Sequence, residues 1–240
     1  MTSLECRAVG TVPEAQLEEL TALLQGLAGC ASLPFEQREV VLRAPAAAAA
    51  PDGAPPGWRP DLRLLQDLGP STSGRTEPSS RWTALQFSLH LRGKQHAALL
   101  AVVRHVTRAE CTGEGVPAFW QALGFAPRYQ LLRRGQRFLV PLGGREVEVS
   151  LCRVLRLPPL GGSGTGGGSG GAAACPATLD AAALQQAAEV SPGHLLVEAV
   201  AAAPAEEDHM ESVGAVTQLA GLLAPFTALQ RPPRAPGEPL

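Results

Sequence analysis

The stretch Arg81-Trp82-Thr83-Ala84-Leu85-Gln86-Phe87-Ser88-Leu89-His90-Leu91 decides the fold. Leu85, Phe87, Leu89 and Leu91 alternate with Gln86, Ser88 and His90, a period of two that sends one face into a core and the other toward polar surroundings. Gly93 and Lys94 mark a turn. Ala97 to Glu110 reads as the partner strand of a long hairpin. Its first half, Ala98 to Val103, is apolar on both faces, as expected of a strand buried on two sides.

Working outward, β signals dominate. Leu4 to Val12 is a strand, and Thr11, Pro13 and Glu14 are a helix start, with Leu17, Leu20, Leu24 and Leu27 at helical spacing and Gly29 as the stop. Phe35 to Ala44 and Asp61 to Leu68 are strands. Downstream, Gly115 to Leu123 is a short helix anchored by Phe119, Trp120 and Leu123 and ended by Gly124. Phe125 to Arg133, Gln136 to Leu142 and Arg145 to Leu157 then follow as strands, with turns at Gly135 and Gly143-Gly144. Leu179 to Glu189 is a weak helix, Leu195 to Ala202 a last strand, and Glu206 to Ala224 a final helix with Met210, Val213, Val216, Ala220 and Leu223 on one stripe. The sum is an α+β, mainly β chain: a single closed antiparallel β-barrel of about eight strands with three or four flanking helices. Closure removes the exposed sheet edges. The expected organisation is one barrel domain over residues 1–230, with low-complexity insertions at 45–60 and 161–176, and a disordered proline-rich tail at 231–240. The tract Gly161 to Gly171 cannot bury apolar area against its ordering entropy and should be flexible.

Composition narrows the function. Of 240 residues 45% are apolar and 18% charged, which suits a folded chain with a sizeable core. The net charge is −2 and no Lys/Arg-dense block stands out, so direct nucleic-acid binding is not expected. Arg128, Arg133, Arg134, Arg137, Arg145, Arg153 and Arg156 make the middle locally basic and read as arginines on solvated strand faces. Cys6, Cys30, Cys111, Cys152 and Cys175 form no Cys-x-x-Cys pair, and no apolar run reaches the ~20 residues that span a bilayer. Residues Met1 to Gly10 lack a secretory apolar core, so a reducing intracellular compartment and no membrane association are expected.

Catalytic chemistry finds little to work with. His90, His96, His105, His194 and His209 are scattered, with no His-Glu-x-x-His spacing, and there is no phosphate-binding loop. The run Ala118 to Phe125, followed by Tyr129, Arg133, Arg134 and Arg137, resembles the triphosphate-tunnel phosphohydrolases. That resemblance implies inward carboxylates holding divalent metal and basic residues holding a triphosphate. Here the opening strand offers only Glu5 in Leu4-Glu5-Cys6-Arg7-Ala8, and the last strand only Glu198. Glu146 and Glu148 form the sole Glu-x-Glu pair, which a solvent face explains equally well. The expectation is a greasy barrel interior with no catalytic, cofactor-binding or metal residues and no cofactor. A metal-dependent triphosphate hydrolase is the alternative.

Taken in order, the segments resemble the Mediator subunit 18 family. The matching residues are Leu23-Leu24-Gln25-Gly26-Leu27, Val40-Val41-Leu42-Arg43-Ala44, Trp58 with Leu62-Arg63 and Leu68-Gly69, and Val102-Val103-Arg104. They continue through Leu123-Gly124-Phe125, Gly135-Gln136-Arg137-Phe138, Val154-Leu155-Arg156 and Leu195-Leu196-Val197-Glu198, to Pro204 and a closing helix ending at Pro225. The resemblance implies a non-catalytic scaffold in the nucleus that pairs with Mediator subunit 20 and a helix of Mediator subunit 8. Through the assembled head it would meet RNA polymerase II, supporting transcription regulation by protein–protein binding. It assigns no partner-binding residues.

Overall fold

A computed structural model of the chain describes residues 2–45, 61–69, 81–91, 93–158, 179, 181–204 and 208–232. The alanine/proline stretch at 46–60, the loop at 70–80, the glycine tract and the tail, with the expectations placed on them, lie outside these residues.

Strand β1 (Thr2–Pro13) leads through a 3-10 turn at Glu14–Gln16 into helix α1 (Leu17–Ala28). Then come β2 (Leu33–Arg43), β3 (Asp61–Asp67), β4 (Arg81–His90), the one-turn helix α2 (Lys94–Ala97) and β5 (Val102–Thr112). Helix α3 (Val116–Ala122), β6 (Ala126–Leu142) and β7 (Arg145–Arg156) follow. The described chain ends with α4 (Ala181–Gln185), the two-residue β8 (Ala188–Glu189), β9 (His194–Pro204) and α5 (Met210–Leu223). Hydrogen-bonded neighbours run β1-β9-β7-β6-β2-β3-β4-β5 and back to β1, every pair antiparallel, with β8 added beside the end of β7. The barrel of eight strands is closed, as the alternation implied.

Directly opposed residues of antiparallel strands share a face, so one register fixes the direction of every side chain. Leu4, Cys6 and Ala8 of β1 pack with Val197, Ala199 and Ala201 of β9, Val147 and Val149 of β7, and with Leu20 and Leu24 of α1 and Val213, Val216, Leu219 and Leu223 of α5. This face is therefore the outside of the barrel, and the helices are its cover. Leu20, Leu24, Val216, Leu219 and Leu223 are fully enclosed there; a buried aliphatic side chain of this kind contributes about 1.5–3 kcal/mol. A second outer cluster joins Val40, Leu42, Leu62, Leu64, Trp82 and Ala84 under Val116 of α3.

Several local expectations change. Thr11 does not cap α1: β1 runs through it to Pro13, and Gln16 stands at the helix start without a side-chain capping bond. Gly29 does close α1, at φ 67. Ala98 to Ala101 are not strand; α2 takes up Lys94–Ala97, a short irregular connection follows it, and β5 begins only at Val102. Gly135 is not a turn. It lies within the 17-residue β6, where a Cβ would sit 1.9 Å from the Leu151 carbonyl oxygen, so glycine is required by close contact with β7. The final helix begins at Met210, and Met210 itself is exposed while the rest of its stripe is buried.

Candidate functional site

The face opposite the helices looks into the lumen. Register carries it around the ring from Glu5 and Arg7 to Arg104 on β5, Phe87 on β4, Arg63 on β3, Glu39 on β2, Arg133 and Arg137 on β6, Glu148 and Ser150 on β7, and Glu198 on β9. The expected greasy interior is thus only partly met. Leu85 and Phe87 of the opening stretch do face the lumen, as do Val41, Leu131 and Val200, but arginines and glutamates share that wall with them, whereas the alternation of Val147, Val149 and Leu151 belongs to the helix-covered outer wall.

These charges are joined. Arg104 donates to Glu5 at 2.7 Å, and Arg7 lies 3.8 Å from the same carboxylate. Glu198, nearly enclosed, accepts from both Arg7 and Arg133 and lies 3.5 Å from the Ser150 hydroxyl. Arg63 meets Glu39 at 3.0 Å, and Arg137 meets Glu148 at 3.1 Å. Phe87 is clasped between the guanidinium groups of Arg104 and Arg63, 3.7 and 5.1 Å from its ring centroid. Burial alone would raise the Glu5 carboxyl, but the Arg104 and Arg7 charges outweigh it and hold Glu5 below its ordinary range. Burial pushes the Arg104 guanidinium down to about 10, against the pull of Glu5, so it stays charged at neutral pH.

Glu5 and Glu198 therefore face inward as the tunnel resemblance implies, yet each is already engaged by arginine. Glu148 lies at the half-exposed mouth, and Glu146 is exposed. Among the described residues no three His, Cys, Asp or Glu side chains come together in a way that could hold a metal ion. The locally basic middle is neutralised as well. Arg128 meets Asp61, Arg134 meets Glu36, Arg145 meets Glu211, and Arg153 meets both Glu14 and Glu189. Arg133 and Arg137 depart from the solvated-face reading by turning into the lumen.

Two features escaped the sequence. His96 of α2 and His209, just before α5, bring their Nε2 atoms to 3.0 Å, although 113 positions separate them. Their rings are tilted by 19° with centroids 5.2 Å apart, an edge-to-edge arrangement in which one N–H donates to the other nitrogen. No spacing motif could reveal a pair made by tertiary closure. The other feature is α3. Trp120 turns in against Phe125 at 5.1 Å, whereas Phe119 and Leu123, expected as anchors, are 59% and 52% exposed. Val116 and Pro117 anchor the helix instead. A cleft of ≈ 410 Å³ lies beside it, lined by Cys111, Thr112, Gly115, Val116, Phe119 and Trp120.

Among the described cysteines Cys6 and Cys152 are buried and Cys30 is exposed. Burial, with Glu5 adding to it, pushes the Cys6 thiol up to about 12. Cys175 lies outside the described residues. No described helix is long and apolar enough to cross a membrane.

No family model matches the chain, and no curated protein matches it by sequence. Solved structures do. A chain in the structure of the Schizosaccharomyces pombe Mediator head module aligns at TM-score 0.63 and 15% identity, covering 95% of this chain and 98% of that one. The PH1819 protein from Pyrococcus horikoshii OT3 aligns at TM-score 0.54 and 11% identity, covering 95% of this chain and 94% of that one. The chain has the closed-barrel fold of that head-module chain, shared across nearly the whole length of both.

Proposed function

We propose that this chain is a non-catalytic structural subunit of a Mediator-type head module, acting in the nucleus by protein–protein binding in support of RNA polymerase II transcription. The observation that carries the reading is the end-to-end likeness to a head-module chain, with no large segment left over on either side. The lumen fits it. A cavity whose central carboxylates are each engaged by arginine is cross-braced and has few open donors to offer a substrate. The exposed apolar residues of α3 fit it too, since exposed apolar side chains grouped beside a cleft mark contact surfaces. The partners proposed are a second barrel of the subunit 20 type and a helix of the subunit 8 type.

The polar lumen favours one competing reading, a hydrolase of triphosphates, because inward arginines suit a polyanion. One experiment separates the two. The tagged chain is recovered from nuclear extract and its companions identified by mass spectrometry, while the same preparation is assayed for phosphate release from ATP and triphosphorylated RNA with magnesium or manganese. Co-recovered Mediator head subunits without phosphate release is the expected result. Metal-dependent release that is lost in Glu198→Gln would replace the scaffold with the enzyme.

A further inference from the structure

The barrel is closed, but one stretch of strand edge has no pairing strand among the described residues. β1 pairs with β5 only from Thr2 opposite Thr107 to Arg7 opposite Val102, whereas β5 continues to Thr112 along β4. Among the described residues no strand lies against β5 on its β1 side beyond Thr107. Backbone direction along β5 is fixed by two bonds toward β4: the Val103 carbonyl accepts from the Leu91 N–H, and the His105 N–H donates to the Ser88 hydroxyl. Backbone groups alternate along a strand, so those of Glu110 and Thr112 point away from β4, outward over that edge.

The apolar cleft beside α3 adjoins this same stretch, and Cys111 and Thr112 are in its wall. Ala109 and Cys111 carry the outer face of β5, opposite Ala84 and Trp82. Just beyond them stand Val116, Trp120 and the exposed Phe119. A chain added here meets outward hydrogen-bonding groups along one line and an apolar wall on one side only.

We infer that the Ala109–Thr112 edge and the α3 cleft form a docking site for an extended segment of a partner protein. That segment adds a strand to β5 and places alternate apolar side chains in the cleft. The occupant is a strand and not a helix because the outward backbone groups of Glu110 and Thr112, which no described strand pairs, ask for main-chain partners at strand spacing, which a helix, its own groups satisfied, cannot supply. The inference rests on the reading of the chain as a binding module and not on which assembly it joins.

The test uses a random peptide library displayed on phage and panned against the intact chain, with enriched sequences made as synthetic peptides. The expected winners alternate apolar and polar residues and slow amide exchange at Glu110 and Thr112 when bound. Glu110→Pro removes an outward N–H, and binding should weaken by about tenfold or more. Glu110→Ala, which loses the same Thr83 contact, should bind as wild type. Because the proline variant could misfold, each peptide is also made with backbone N-methyl groups at alternate residues. These should abolish binding to the unaltered protein. Winners that bind Glu110→Pro or the N-methylated form undiminished would overturn the inference. So would amides already protected without peptide, which would mean that the chain's own residues fill the edge. Protection that rises with protein concentration would likewise overturn it, by making the occupant a second copy. Head-module assembly that persists while no peptide is enriched removes only this site, and peptide binding without assembly removes only the assembly.

Discussion

Glu198 is the strongest place to test whether the lumen is a sealed ionic core. Its side chain accepts from Arg7 and Arg133 and is only 7% exposed, against 14% and 13% for the two arginines. Glu198→Gln keeps the shape and removes the charge, leaving two enclosed guanidinium groups with one fewer acid between them. Removing one partner of a buried pair costs about 3–5 kcal/mol. The lower end applies, since Arg7 retains a weaker contact with Glu5. A loss of about 3 kcal/mol in a chain of this size lowers Tm by about 6–12 °C. Scanning calorimetry and urea denaturation read it directly. The double variant Glu198→Gln/Arg133→Gln removes one stranded charge as well, and should be less destabilised than the sum of its single changes by about 1–3 kcal/mol. A Glu198→Gln protein within about 0.5 kcal/mol of wild type would mean that water screens the lumen, and the sealed-core reasoning would fall.

Other outcomes follow from the same geometry. Glu5 is held below its ordinary value of 4.5, so its pairing with Arg104 and Arg7 is fully stabilising above that value and is lost as pH falls through the lower native one. Glu5→Gln should be less stable at neutral pH yet show a shallower loss of stability on acidification, read by urea midpoints across that range. Gly135→Ala puts a methyl group into the β7 backbone and should cost about 3 kcal/mol or leave the protein insoluble. Gly26→Ala on α1, with nothing within 4 Å of the added carbon, should gain about 0.5–1 kcal/mol. Maleimide labelling of the native protein, mapped by mass spectrometry, should mark Cys30 and spare Cys6 and Cys152.

Much of the barrel was legible because strands covered on one side by helices alternate strongly, as Val147 to Leu151 do. The lumen was misread for a related reason. Glu5 and Arg7, Glu198 and Arg133 stand far apart in the sequence on three separate strands, and only the ring of registers brings them into one chain of contacts. Sequence spacing also misplaced Gly135, where a glycine demanded by close packing looks the same as one demanded by a turn. Phe119 and Leu123 sit at helical positions suited to a core and nevertheless face out, since α3 is too short to bury more than one side. The His96–His209 bond had no local signature at all.

The union of β1 with β9, running from Ser3 opposite Pro204 to Pro13 opposite His194, has a consequence for synthesis. The ribosome adds about 5–20 residues per second, so the last-made strand reaches the first roughly 10–40 s after the first has emerged. Throughout that interval β1 waits with one flank bare, and it is this flank that a nascent-chain chaperone has to shelter. A stop codon anywhere ahead of β9 therefore yields an open, adhesive sheet and not a smaller barrel.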